Sequence, residues 1–162
     1  MKSIKALCAL GILSLLFSCA YQEDTAAFFI DNQFSKNLTV ECLPENVNSS
    51  VYTYADFDLM SVESYQRYME RLTNITISKI DCEFKNYEGI ISNGKIYLDD
   101  ILLGDFTQSN AMMSISDPEL LLQVAEKFLE KTSLEVSFVG ESNVAHYLSV
   151  NIGIEMKATF VY

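Results

Sequence analysis

The chain has 162 residues, 22 of them acidic and 11 basic, for a formal net charge of −11 at pH 7. Binding to phosphate backbones needs clustered Lys and Arg, so a balance this acidic excludes nucleic acid as a partner and disfavours adsorption of the protein body to anionic lipid. Hydrophobic residues make up 49% of the chain and the acids are scattered rather than blocked, which fits one folded domain with a solvated surface.

The N-terminus has the three parts of an export signal. Lys2 and Lys5 make a basic start, Ala6 to Phe17 form an uninterrupted apolar run, and Cys19 follows the small residue Ser18. A bilayer-spanning helix needs about 20 apolar residues and a signal core about 7–15, so this run is of signal length. It also lacks the polar stripe of a helix packed on a domain surface. Leu16-Phe17-Ser18-Cys19 resembles a bacterial lipobox, although Phe17 stands where the tightest form of that motif has a small residue. The resemblance implies cleavage before Cys19, diacylglycerol on its thiol and a further acyl chain on its amine. At about 0.8 kcal/mol per buried methylene, several chains anchor stably where one would be marginal. Residues 1–18 are then a lipoprotein signal peptide, 19–27 a lipidated tether and 28–162 a single β-rich domain. Removing residues 1–18 takes away two lysines and no acid, which moves the net charge from −11 to −13.

Beyond the polar tether, Leu38, Val40 and Cys42 alternate with polar neighbours and read as a strand that Pro44 ends, with 46–50 as a loop. Val51 to Phe57 again has strand composition. Ser61 offers an N-cap, and Val62, Tyr65, Met69 and Leu72 at helical spacing predict a short amphipathic helix over 62–72. Asn74 to Phe84 returns to β-branched alternation. Asn93-Gly94 is a type I′ turn signal, with Lys95 to Leu98 as the return strand of a hairpin. A second helix is expected over 118–131, because Asp117 is a good N-cap, Pro118 suits the first helical position and Glu119 complements the dipole.

The strongest periodic signal is at the C-terminal end. From His146, every second residue is Leu148, Val150, Ile152, Ile154, Met156, Ala158, Phe160 and Tyr162, the pattern of a long antiparallel strand over a core. Leu134, Val136 and Phe138 supply its expected hairpin partner, with 140–143 as the turn. The expected fold is mainly β: an antiparallel β-sandwich, immunoglobulin-like or similar, with two short connecting helices. The acidic stretch after Cys19, the Asn93-Gly94 centre and the Asp117-Pro118-Glu119 helix feeding a terminal hairpin resemble the small β-rich outer-membrane lipoproteins of Bacteroidota. That resemblance implies an outer-membrane location and carries no activity. Gln22-Glu23-Asp24 resembles the surface-export signal of those bacteria, and Asp24-Thr25-Ala26 their O-glycosylation sequence, which would modify Thr25. Surface exposure is expected, with anchoring on the periplasmic face as the alternative.

Two cysteines remain beyond the lipid site. Cys42 and Cys82 would close a useful loop as a disulfide in an oxidising compartment. Both also lie on apolar strand faces, where free buried thiols are equally at home.

Nothing in the sequence assembles a catalytic set. His146 is the only histidine and falls on the apolar phase of the last strand, so a triad or Cys–His pair would rest on it alone. Asp99, Asp100 and Asp105 around Gly104 have the oxygen ligands that Ca²⁺ prefers, but Asp-Asp between Leu98 and Ile101 reads better as a turn. No His or Cys spacing suggests a metal site, and no cofactor is implied. A carboxylate-based glycosidase is disfavoured in a short chain without tryptophan. Asn37, Asn48 and Asn74 begin Asn-x-Ser/Thr triplets, which a lipobox makes incidental.

Tyr52 and Tyr54 on one strand, with Tyr65 and Tyr68 on the first helix, are the one possible ligand-contact set, against the plainer role of filling the core beside Phe57. The leading expectation is a lipid-anchored, non-enzymatic accessory or protein-interaction module of the outer membrane, meeting an envelope protein. The alternative is a glycan- or small-ligand-binding lipoprotein that uses those tyrosines.

Overall fold

Eight strands and two helices are present in a computed structural model, which describes residues 26–85, 91–106 and 112–162. In chain order they are β1 (Ala27–Cys42), β2 (Ser50–Asp58), α1 (Glu63–Tyr68), β3 (Leu72–Lys85), β4 (Ile91–Leu98), β5 (Ile101–Phe106), β6 (Met112–Ile115), α2 (Pro118–Glu130), β7 (Ser133–Ser142) and β8 (His146–Val161). They form two four-stranded antiparallel sheets. Sheet A has the order β1-β8-β3-β6, and sheet B the order β2-β7-β4-β5.

The pairings nest. β1 pairs with β8, β2 with β7, β3 with β6 and β4 with β5, as in one long antiparallel ribbon. Rolling that ribbon up adds the β3–β8 and β4–β7 pairings that complete the sheets. The result is the expected β-sandwich, in the order of a jelly roll rather than of an immunoglobulin domain.

Alternation puts one side of each strand in the core. Leu148, Val150, Ile152, Ile154, Met156, Ala158 and Phe160 of β8 are all buried, facing Leu134, Val136 and Phe138 of β7 together with Ile96, Leu98 and Phe57 of sheet B. Each large side chain buried in this way contributes about 1.5–3 kcal/mol relative to exposure. The α2 helix begins as its sequence requires: the Asp117 carboxylate accepts the Leu120 amide N–H at 2.9 Å, and Leu121, Val124, Ala125 and Phe128 make its buried stripe.

Three expectations are corrected. β7 and β8 are consecutive but are not a hairpin; β7 lies between β2 and β4 in sheet B, while β8 lies between β1 and β3 in sheet A. Alternation reports which side of a strand is apolar and says nothing about the sheet it joins. Asn93-Gly94 is not a turn but a bulge inside β4, where the two residues together oppose Gly140. Asn93 adopts φ 54°, and a Cβ on Gly94 would stand 2.9 Å from Phe106 Cβ, so the positive-φ residue and the glycine serve the bulge. The first helix is shorter than 62–72: α1 ends at Tyr68, a 3₁₀ turn covers Met69–Arg71 and β3 begins at Leu72. Its N-cap is Val62, while the Ser61 hydroxyl donates to the Asp58 carbonyl at 2.6 Å.

The outer face of sheet B as candidate functional site

Cross-strand register gathers an aromatic surface on the outside of sheet B. Tyr54 stands opposite Ser137, Ser137 opposite Tyr97 and Tyr97 opposite Leu102, so one line crosses all four strands. A parallel line runs from Tyr52 through Val139 to Lys95 and Asp105. Tyr52 and Tyr54 are 57% and 60% exposed, with ring centroids 5.8 Å apart and planes inclined by 30°. Side chains two apart on one strand share a face, which is why the pair projects together.

Tyr52 is held in place. Its hydroxyl donates to Glu135 Oε1 at 2.7 Å, and that bond, with a smaller contribution from desolvation, raises its pKa above the usual 10.0. Glu135 is itself fixed by its backbone, because its N–H donates to Asp99 Oδ1 at 2.8 Å and its carbonyl accepts from Asp99 N–H at 2.7 Å. Asp99 and Asp100 form the two-residue turn between β4 and β5, with Asp99 at φ 50°, a conformation Asp tolerates. Lys131 pairs with Asp99 at 2.6 Å and Lys127 with Asp100 at 3.1 Å. These carboxylates therefore brace a turn, as expected, while Asp105 lies on β5; among the described residues no group of three or more His, Cys, Asp or Glu is placed to hold a metal.

The four tyrosines singled out in the sequence separate. Tyr52 and Tyr54 make the exposed pair. Tyr65 is corrected to a core residue at 0% exposure, with its ring against Phe34 and Phe160 and its phenol pushed up to about 12 by burial and then by the charge of Asp31. Its hydroxyl has no hydrogen-bond partner among the described residues. Tyr68 is half-buried beside Phe28, at the end of sheet A where β1 begins. Tyr97, Leu102 and Val139 were missed because they come from other strands and meet Tyr52 and Tyr54 only through register.

The disulfide alternative is corrected as well: Cys42 and Cys82 are free and buried. Cys42 lies opposite His146 and Cys82 opposite Ile152, on either side of β8 and six residues apart along it. That is about 20 Å along the strand, against a Cα separation below about 7 Å for a disulfide. Burial, and then Asp81, pushes the Cys82 thiol up to about 12, so it is an inert packing group. His146 opens β8. Cys19 and Thr25 lie outside the described residues.

Among the described residues no helix is long and apolar enough to cross a membrane. No family model and no curated protein matches the chain. Among solved structures it is similar to the BFDV capsid protein in its 60-mer form, at 10% identity and a TM-score of 0.43, over 85% of this chain and 94% of that one. The decameric form of the same capsid protein aligns at 7% identity and a TM-score of 0.42, over 82% and 99%. Turnip yellow mosaic virus aligns at 8% identity and a TM-score of 0.42, over 85% and 83%. Nothing about activity follows from likeness at this level, and the fold assignment stands on the strand order.

Proposed function

We propose that the protein is a lipid-anchored, non-enzymatic interaction module of the bacterial outer membrane, exposed at the cell surface, and that the outer face of sheet B is its contact surface for an envelope protein. The observation that carries this reading is the exposed Tyr52–Tyr54 pair on sheet B, backed by Tyr97 and Leu102. Tyrosines present large amphipathic area at small conformational cost, which suits recognition of another surface. The lipobox at Leu16 to Cys19 supports the anchor and its location. A glycan partner is the second reading, favoured by the small Ser137 standing between Tyr54 and Tyr97 in the cross-strand register.

Photo-crosslinking in intact cells tests the proposal. A benzophenone amino acid at position 54 is expected to give protein adducts, and the same group at position 37 on sheet A to give none. Tyr52→Ser in the position-54 chain should remove the adducts. No adduct from position 54 would overturn the protein-interaction reading, and binding of the purified protein to polysaccharide, lost in Tyr54→Ser, would replace it with the glycan reading. In the same cells Cys19→Ser should release the protein from the membrane fraction; continued acylation would sink the anchor.

A further inference from the structure

The corner of the sandwich where β1 begins has a chemistry of its own. Ala27 enters sheet A opposite Val161, and Leu72 opens β3 opposite Phe160, so the start of β1, the end of β8 and the turn before β3 meet there. The Phe28 ring joins them, with centroid distances of 4.9 Å to Tyr68 and 5.1 Å to Tyr162. Around this cluster Phe29 and Tyr162 are 56% and 71% exposed. Both arginines of the chain are here as well. The Arg71 guanidinium lies 5.7 Å from the Tyr162 ring centroid, and the Lys157 ammonium 4.3 Å from that of Phe29. Arg67 is paired with Glu63 at 2.6 Å. Glu70 follows on the next turn, Asp31 is the strand neighbour of Lys157, and Glu23 and Asp24 of the tether precede Ala26, so these three bases stand among five acids in a strongly acidic molecule.

Exposed aromatic rings capped by basic heads are what a bilayer interface accepts: the rings sit at headgroup depth and the cations reach lipid phosphates. The tether sets the distance. The run from Cys19 to Ala26 spans at most about 25 Å when fully extended, so the acyl chains and this corner share one neighbourhood. Anchoring makes the contact intramolecular, and a weak contact then suffices.

We infer that this corner rests in the headgroup layer of the membrane that holds the anchor, with Phe29 and Tyr162 at the interface and Arg71 and Lys157 on lipid phosphates. The inference depends on the anchored reading above. It refines the exclusion drawn from total charge: three of the nine basic residues beyond Cys19 stand at this corner against five of the 22 acids, so anionic lipid repels it less than the remainder, and the difference selects one orientation. β1 starts at that corner, so its other end, at Cys42, lies away from the anchor.

Tyrosine NMR on the full lipidated protein tests this. The protein, labelled on its tyrosine rings, is placed in vesicle-derived nanodiscs of phosphatidylethanolamine and phosphatidylglycerol with a share of headgroup-spin-labelled lipid. Tyr68 and Tyr162 are expected to lose their signals, while Tyr52, Tyr54 and Tyr147 keep theirs. Tyr21, two residues beyond Cys19, reports the anchor separately. Loss at Tyr21 with Tyr68 and Tyr162 intact would overturn the docked corner and leave the anchor standing. An unaffected Tyr21, in protein that carries no lipid mass on Cys19, would overturn both. The exposed double variant Phe29→Ser with Arg71→Glu should restore Tyr68 and Tyr162 and leave Tyr21 bleached. Unchanged bleaching at all three would show that these side chains do not make the contact.

Discussion

The two outer faces of the sandwich are built on the same alternation yet have opposite chemistry. On sheet A the outward side chains bond one another across strands: Ser35 donates to Asn151 at 2.8 Å, Ser149 to Asn37 at 2.6 Å and Tyr147 to Glu41 at 2.7 Å. Their polar groups are already partnered within the protein, and a ligand would have to compete with those bonds. On sheet B the outward residues include Tyr52, Tyr54, Tyr97, Val139 and Leu102 beside the polar Ser137, Lys95 and Asp105, and Tyr52 is engaged by Glu135 and Ser137. Apolar area left in water gains by being covered. The contrast shows that the core fixes only the inward half of each strand, leaving the outward half free to differ between sheets.

Three variants test that contrast. The largest effect is expected beneath sheet B. Phe138 is fully buried, and Phe138→Ala should cost about 3–5 kcal/mol in urea unfolding, because the ring's contacts are lost and a cavity remains. A smaller loss would mean that sheet B collapses onto the gap. The next effect lies beneath sheet A and has the opposite sign. Tyr65→Phe deletes a buried hydroxyl without a partner and should raise stability by about 1 kcal/mol. A loss in that variant would mean that the hydroxyl is satisfied after all.

The smallest effect concerns the rim of sheet B. The Tyr52 phenol is raised above 10.0 by its bond to Glu135, so the stability it contributes is complete below pH 10 and is lost as pH climbs through the raised value. Glu135→Gln should bring the Tyr52 titration back toward 10.0, read by ring NMR, with little change in stability at neutral pH. An unmoved titration would dissociate Tyr52 from Glu135 in solution.

Local chemistry was legible in the sequence where one segment decides its own structure. The alternation of β8 and the Asp117-Pro118-Glu119 start of α2 are both as read. What depended on distant partners was not legible. Whether β7 joins β8 or β2 depends on the nested pairing of the whole chain, and Asn93-Gly94 has the same positive-φ chemistry in a bulge as in a turn. Half of the tyrosine set survives as a surface. The signal against Tyr65 lay in its own spacing, since it falls on the same helical stripe as Val62 and Met69, and a stripe residue packs inward. Tyr97 and Leu102 joined the surface through register alone, which alternation within a single strand does not contain.

The nested pairing has a consequence for how such a domain tolerates change. Every connection except the Asp99–Asp100 turn carries the chain from one sheet to the other, so each crossing leaves and enters a sheet at a strand end. Among the described residues the broad faces are composed of strands. A face can therefore exchange one outward side chain for another, and with it one partner for another, without altering the path of the chain. Insertions and deletions are confined to the margins, where they lengthen a crossing and leave both faces in register.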